Sequence, residues 1–357
     1  MRNIICTLLF LSFFIATSQE IAIANAEKIA TAKETAQAFL VKEQIPGMSI
    51  AVSQKGTLLW SEGFGYADIA SKTKVVPGTQ FRLASISKPI TAVGLAILAD
   101  RNQLDYNESV YTYLPDFPKK KYDFTVKQVG GHLAGIRHYK GNEFILNKKM
   151  SITEGLSIFK NDSLMSKPGT NYQYSTYGWN LLSEVIQQVA KVPFNKFMTD
   201  ELFRPLKMTH TELDLSDQKM PNRTLFYIKT NSNSIVLGPP VSNEHKVAGG
   251  GFIANAEDLL LFGNEIIHPT HISEKNLSEL LVPQNTSDGK STNYGIGFGT
   301  GTTKNNTPVY SHSGGGMGAT TYLLIYPKEE LVIVVLTNLS QVPIRDLTKK
   351  LEDLFID

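Results

Sequence analysis

The feature that most limits the fold is the placement of β-patterned text at both ends of the chain, with helix-patterned text between. Gly47 to Ser53 and Thr57 to Tyr66 read as two short strands joined by Gln54-Lys55-Gly56, a hairpin signal with a glycine-containing turn. Strand text returns only far downstream, at Tyr294 to Gly299, Val309 to Ser311, Thr320 to Tyr326 and Leu331 to Thr337. Strands so far apart share one sheet only if the segment between them packs as a layer of its own. An α+β fold is therefore expected: an antiparallel sheet from both chain ends flanked by helices, plus a helical subdomain over roughly 102–247. The strand order does not follow from this pattern.

Helices are expected where apolar residues recur with helical spacing. Ile29, Ala32, Ala36, Phe39 and Leu40 mark one over Glu27 to Val41, and Val342 to Phe355 another. Ile90 to Asp100 is a strongly apolar helix with Pro89 in its first turn, where a missing N–H costs nothing. Trp179 to Ala190, Pro193 to Leu202 and Ala256 to Ile267 complete the set.

The N-terminus has a different character. Arg2 precedes a continuous apolar stretch from Ile4 to Ala16, then polar text and the small-residue site Ala24-Asn25-Ala26. That order describes a secretory signal peptide over residues 1–26, cleaved near Ala26, ahead of a single domain over 27–357. A periplasmic or secreted protein is expected; an uncleaved segment acting as an anchor is the alternative. The sole cysteine, Cys6, lies in this segment, so the mature chain would hold no disulfide and no thiol nucleophile. The 35 basic and 33 acidic residues nearly balance, which argues against a nucleic-acid partner. His268 and His271 flank Pro269 without metal-ligand spacing, so neither metal nor organic cofactor is expected.

Ser-x-x-Lys sets a hydroxyl and an amine one helical turn apart on the same face, where a partly neutral amine can activate the hydroxyl. The spacing occurs five times, starting at Ser71, Ser85, Ser157, Ser216 and Ser287. Only Ser85 lies between a β-like run, Phe81-Arg82-Leu83, and the start of a long apolar helix. A helix N-terminus suits a developing oxyanion. The competing reading of Ser85 is a helix-capping serine.

Further strings follow in order: Gly131-His132-Leu133-Ala134-Gly135-Ile136, Pro168-Gly169-Thr170, Tyr174-Ser175-Thr176, Pro205-Leu206-Lys207-Met208, Ala248-Gly249-Gly250-Gly251, and His312-Ser313-Gly314. With Ser85-Ile86-Ser87-Lys88 they resemble the ordered motifs of the serine β-lactamase and penicillin-binding-protein family, in particular its class C and esterase-like branch. The resemblance covers roughly Lys42 to Ser340 and is strongest to the mitochondrial β-lactamase-like serine proteases and their bacterial relatives. It implies Ser85 as nucleophile, Lys88 and Tyr174 sharing the proton traffic, and His312 contacting substrate and Tyr174. It also implies substrate or oxyanion roles for Gly315, Thr176, Ser313 and Gly314, with the backbone N–H groups of Ser85 and Gly315 as the oxyanion hole.

Which of Lys88 and Tyr174 is the base stays open at this level. Thr176 stands where the family has asparagine, and a hydroxyl cannot bridge a substrate amide as a carboxamide does. Hydrolysis of peptide or ester bonds through an acyl-enzyme is therefore the expected chemistry. D-alanyl-D-alanine carboxypeptidase or weak β-lactamase activity is the alternative, and an idle peptide-binding or self-assembling scaffold the rival from another class. Arg137-His138 could read an acidic substrate group or brace its loop.

Overall fold

The computed structural model describes residues 25–215 and 220–356. The leader expected over 1–26 lies outside the described residues except for its last two, which open a helix (α1) over 25–43. Strands β1 (Gly47–Gln54) and β2 (Thr57–Asp68) form the expected hairpin. At its turn Lys55 and Gly56 both have positive φ, 51° and 71°, as a two-residue turn matched to the strand twist requires. A short β3 (Thr73–Lys74) extends it. The chain returns as β4 (Gly299–Thr302), β5 (Pro308–Gly316), β6 (Ala319–Tyr326) and β7 (Leu331–Thr337). The resulting antiparallel sheet has the order β3-β2-β1-β7-β6-β5-β4, so its central strand, β7, pairs with β1 from the opposite end of the sequence.

Alternation along β7 shows why both faces are covered. Leu331, Ile333 and Val335 pack with Ile50 and Val52 against Ala32, Ala36 and Phe39 of α1 and against Leu347, Leu351 and Phe355 of α6 (Ile344–Phe355). Val332, Val334 and Leu336 face the other way, onto Leu259, Phe262 and Ile266 of α4 (Ala256–Ile267). Beyond that layer lies the helical part, centred on α2 (Ser87–Asp100), whose residues from Ser87 to Leu98 are all buried. A helix apolar all round belongs inside other helices; here α3 (Thr176–Ala190) and α5 (Glu274–Leu281) pack against it.

Three local expectations need correction. Tyr294 to Gly299 is no strand; apart from a single bridge between its ends it is irregular, and the strand begins at Gly299. Gly297 is the cause: its φ is +81°, and a Cβ there would press at about 2.9 Å on Ala92 and Trp179 and at 3.0 Å on the Lys88 carbonyl. Pro193 to Leu202 is regular only over Phe194–Met198 and then widens into a π-helical turn, Thr199–Phe203. Helix α5 was not expected, although Ser273 caps it by accepting from the Asn276 N–H at 3.2 Å.

Asn338, fully buried just after β7, ties the hairpin to the rest. Its Oδ1 accepts from the Gly47 N–H at 2.7 Å, and its Nδ2 donates to Thr224 Oγ1 at 2.8 Å and to the Tyr66 carbonyl at 3.1 Å. Asn338→Ala leaves buried groups unpaired and should cost roughly 2–4 kcal/mol. Denaturant unfolding checks this; a midpoint within error of wild type would contradict it.

Candidate active site

Ser85 sits in a 3₁₀ turn, Ala84–Ile86, that runs directly into α2. Ala84, immediately before it, has φ +46°, a left-handed conformation that alanine rarely adopts. The turn is held from both sides: Leu83 N–H donates to the Phe252 carbonyl at 2.9 Å, and Thr321 Oγ1 donates to the Leu83 carbonyl at 2.9 Å. From Phe81 to Leu98, Ser85 is the one residue that is not buried. Its side chain does not cap the helix. Instead Ser85 Oγ lies 3.0 Å from Lys88 Nζ and accepts from the Tyr174 hydroxyl at 2.8 Å. The other described Ser-x-x-Lys serines turn elsewhere. Ser71 goes to Asp68 and Ser157 to the Glu154 carbonyl, while Lys290 pairs with Asp288. Ser216 and Lys219 lie outside the described residues.

Lys88 is 0% exposed and has no carboxylate within ion-pair distance among the described residues. Its nitrogen also donates to the Gly249 carbonyl at 2.6 Å and approaches Thr176 Oγ1 at 3.4 Å. Burial holds its pKa well below the usual amine range. A neutral amine has two N–H donors and one lone pair, and three such contacts match that inventory if Ser85 donates to the lone pair. Tyr174 is displaced in the opposite sense, raised by burial. Its place is set by the start of α3: Ser175, the N-cap, accepts from the Gly178 N–H at 3.0 Å and donates to the Arg137 carbonyl at 2.7 Å. His132 supports the tyrosine from behind, its ring 4.4 Å from that of Tyr174.

His312 is on β5, as expected, and its ring centre lies 6.4 Å from that of Tyr174 in a tilted arrangement, although its hydrogen bonds go elsewhere. Its Nδ1 lies 2.7 Å from the Ser313 carbonyl, which fixes the proton there, and Nε2 then accepts from the Tyr294 hydroxyl at 2.8 Å. Tyr294, on the irregular segment before β4, intercepts the ring. Burial and the nearby Lys88 lower His312 to about 3, so this imidazole is neutral at physiological pH. Sequence reasoning missed Tyr294 because it read that segment as a strand.

The glycines divide. β4 pairs with β5 only from Pro308 to Ser311, leaving the following edge of β5 without a strand partner among the described residues. Gly315 is exposed on that edge, and a Cβ there would meet nothing within 4 Å. Ser313 also faces the cleft. Gly314 does not: a Cβ would collide with Thr321 and the Leu83 carbonyl, so this residue is a packing glycine that lets β5 lie against the Ser85 turn. Arg137 braces its loop, bonded to Glu143 at 2.7 Å, to Asp162 and to the Ile158 carbonyl. His138 is exposed and lines the cleft, with its Nδ1 accepting from the Thr176 N–H at 3.2 Å. The cleft over Ser85 encloses about 330 Å³ and includes Tyr174, Thr176, His312, Ser313 and Gly315.

A sheet from both chain ends, a serine–lysine pair at the mouth of a buried helix and a tyrosine closing on the same oxygen define a serine hydrolase of the acyltransferase type. The sequence profile of the beta-lactamase family matches residues 32–354, and the chain belongs to that family. It is 29% identical over 386 residues to the human serine beta-lactamase-like protein LACTB, mitochondrial, covering 81% of this chain and 70% of that protein. Protein flp of Staphylococcus aureus is 28% identical, over 84% of this chain and 61% of its own length. Among solved structures, the octameric penicillin-binding protein homologue from Pyrococcus abyssi superposes with a TM-score of 0.79 at 20% identity, over 91% of this chain and 77% of that one.

Three buried histidines make stability depend on pH. Burial lowers His132 well below its ordinary value, His245 to about 4 and His312 to about 3. Unfolded histidines titrate near 6.5. Each therefore contributes stability that is present above pH 6.5 and is lost as pH falls, because the unfolded chain binds the extra protons. From pH 6.5 towards 4 the histidines should make the unfolding free energy fall by about 1 kcal/mol or more per unit. Denaturant titrations across that range check this, and a flat profile would contradict it.

Proposed function

We propose that the protein hydrolyses ester or peptide bonds through an acyl-enzyme on Ser85. The observation that carries this is the double approach to Ser85 Oγ, by Lys88 Nζ at 3.0 Å and by the Tyr174 hydroxyl at 2.8 Å, at the one partly exposed point of a buried helix start.

Lys88 is the base. Its burial without a counter-ion favours the neutral amine, whereas burial opposes a Tyr174 phenolate. As Oγ bonds to the substrate carbonyl carbon, the Ser85 proton passes to Lys88, and the carbonyl oxygen takes up the electron pair. The Ser85 and Gly315 N–H groups are the proposed donors to that oxyanion. When the tetrahedral adduct collapses, the bond to the leaving group breaks, and Tyr174 is placed to protonate the departing atom and be reprotonated from the Lys88 ammonium. Water then releases the acyl group by the same steps in reverse.

Ser85→Ala should abolish hydrolysis of p-nitrophenyl acetate and remove the fluorophosphonate adduct, which peptide mapping should otherwise find on Ser85. Tyr174→Phe should lower kcat by roughly 10²–10⁴-fold. An adduct on Ser157 or another serine would overturn the assignment.

The neutral, Tyr294-bound His312 supports a narrower expectation. Penicillins carry a carboxylate beside the scissile amide, and this imidazole offers no cation to it, while Thr176 lacks a carboxamide. Nitrocefin should be a poor substrate, with kcat/KM well below that for an activated ester. Side-by-side kinetics decide it: nitrocefin turnover at roughly 10⁴ M⁻¹s⁻¹ or above would restore β-lactam hydrolysis as the main activity.

A further inference from the structure

The cleft over Ser85 is electrostatically one-sided. Its lining includes two cationic side chains, Arg82 and Lys246, and no aspartate or glutamate. The two cations are not equivalent. Arg82 is matched: its Nε bonds Asp214 at 2.6 Å, its Nη1 bonds the Met317 carbonyl at 2.9 Å, and its guanidinium stacks 3.7 Å from the Phe226 ring centre. Lys246 is not. The residue is 4% exposed; its Nζ donates to the Phe144 carbonyl at 2.7 Å and lies 5.5 Å from the Tyr139 ring centre. No carboxylate stands within ion-pair distance of it among the described residues. Asp214 is committed to Arg82 and Arg223, and the Glu244 carboxylate is bonded to Ser242. An ammonium has three donors, and a buried one without a counter-ion is costly unless something completes it.

We propose that the missing partner is a carboxylate of the substrate, and that Lys246 selects substrates carrying one at a distance from the scissile carbonyl. Resting on Ser85 as nucleophile, this assigns the anion to the part of the lining around Lys246, where the amine already holds the Phe144 carbonyl. The arrangement is consistent with a neutral His312, because charge would be read by Lys246 instead. Lys246 also titrates in a useful range. Burial and Arg82 lower it to about 8, while Asp214 and Glu244 hold it up. Anion recognition should therefore fade as pH rises from 7 to 9.

The test compares kcat/KM for mono-p-nitrophenyl adipate and neutral p-nitrophenyl valerate, and for 4-acetoxybenzoate and phenyl acetate. The first pair places the carboxylate on the acyl side, the second on the leaving-group side. Wild type should prefer the anionic member of one pair by about tenfold or more. Lys246→Met should bring that ratio near one, and raising the pH to 9 should reduce it in the unmutated protein. A wild-type ratio near one in both pairs, or a ratio unchanged in Lys246→Met, would overturn the proposal. The pH series on wild type decides the matter if that variant fails to fold. Hydrolysis of either ester surviving in Ser85→Ala would instead defeat the acyl-enzyme reading itself, so the two failures are distinguishable.

Discussion

The site depends on one unusual fact, an amine held out of water with no anion to balance it. Lys88 is buried among apolar residues of α2 and meets a backbone carbonyl, two hydroxyls and the Tyr174 ring, whose centre is 4.8 Å from the amine. A carboxylate in contact would stabilise the ammonium and oppose the proposed use of the amine as a base. The surrounding structure maintains this. Gly249, whose carbonyl seats the amine, is itself a glycine because a Cβ would press on Thr176, and Gly297 admits the irregular segment against the Lys88 backbone. Positioning this buried lysine is thus a property of three distant stretches of chain, brought together by helix packing.

The same economy of charge runs through the cleft. His312, the residue at the strand position where a cation would read a neighbouring carboxylate, is neutral and held by Tyr294. Positive charge in the lining comes instead from Arg82 and Lys246. Thr176 touches Lys88 with its hydroxyl and His138 with its backbone N–H. The reacting centre is consequently polar but uncharged in its resting state, with the net field supplied from a few residues away.

Much of this was legible from sequence where the signal is local or ordered. Ala256 to Ile267 and Leu331 to Thr337 have the expected bounds to the residue, because period and propensity agree there. Ser85 and Lys88 are one turn apart in one helix start, and Tyr174 and His312 followed from motif order. Tyr294 was missed because its role is a contact across eighteen positions from a glycine-interrupted segment that imitates a strand. Lys246 was missed because a single lysine before a glycine run has no pattern that distinguishes a buried cation from a solvated one. Nor does alanine at 84 announce a left-handed backbone. That conformation is imposed by the packing of Leu83 between Phe252 and Thr321.

The central pairing of the sheet sets a clock on the protein's synthesis. Met48 lies opposite Thr337, so β1 has no partner on that side until almost the whole chain has been made. At typical elongation rates of about 5–20 residues per second, that interval is roughly 15–60 s. Throughout it, the hairpin of β1 and β2 presents an apolar edge whose completion cannot begin. Folding of this architecture is therefore paced by the arrival of the last strands, and the nascent hairpin is the segment most in need of a chaperone's cover.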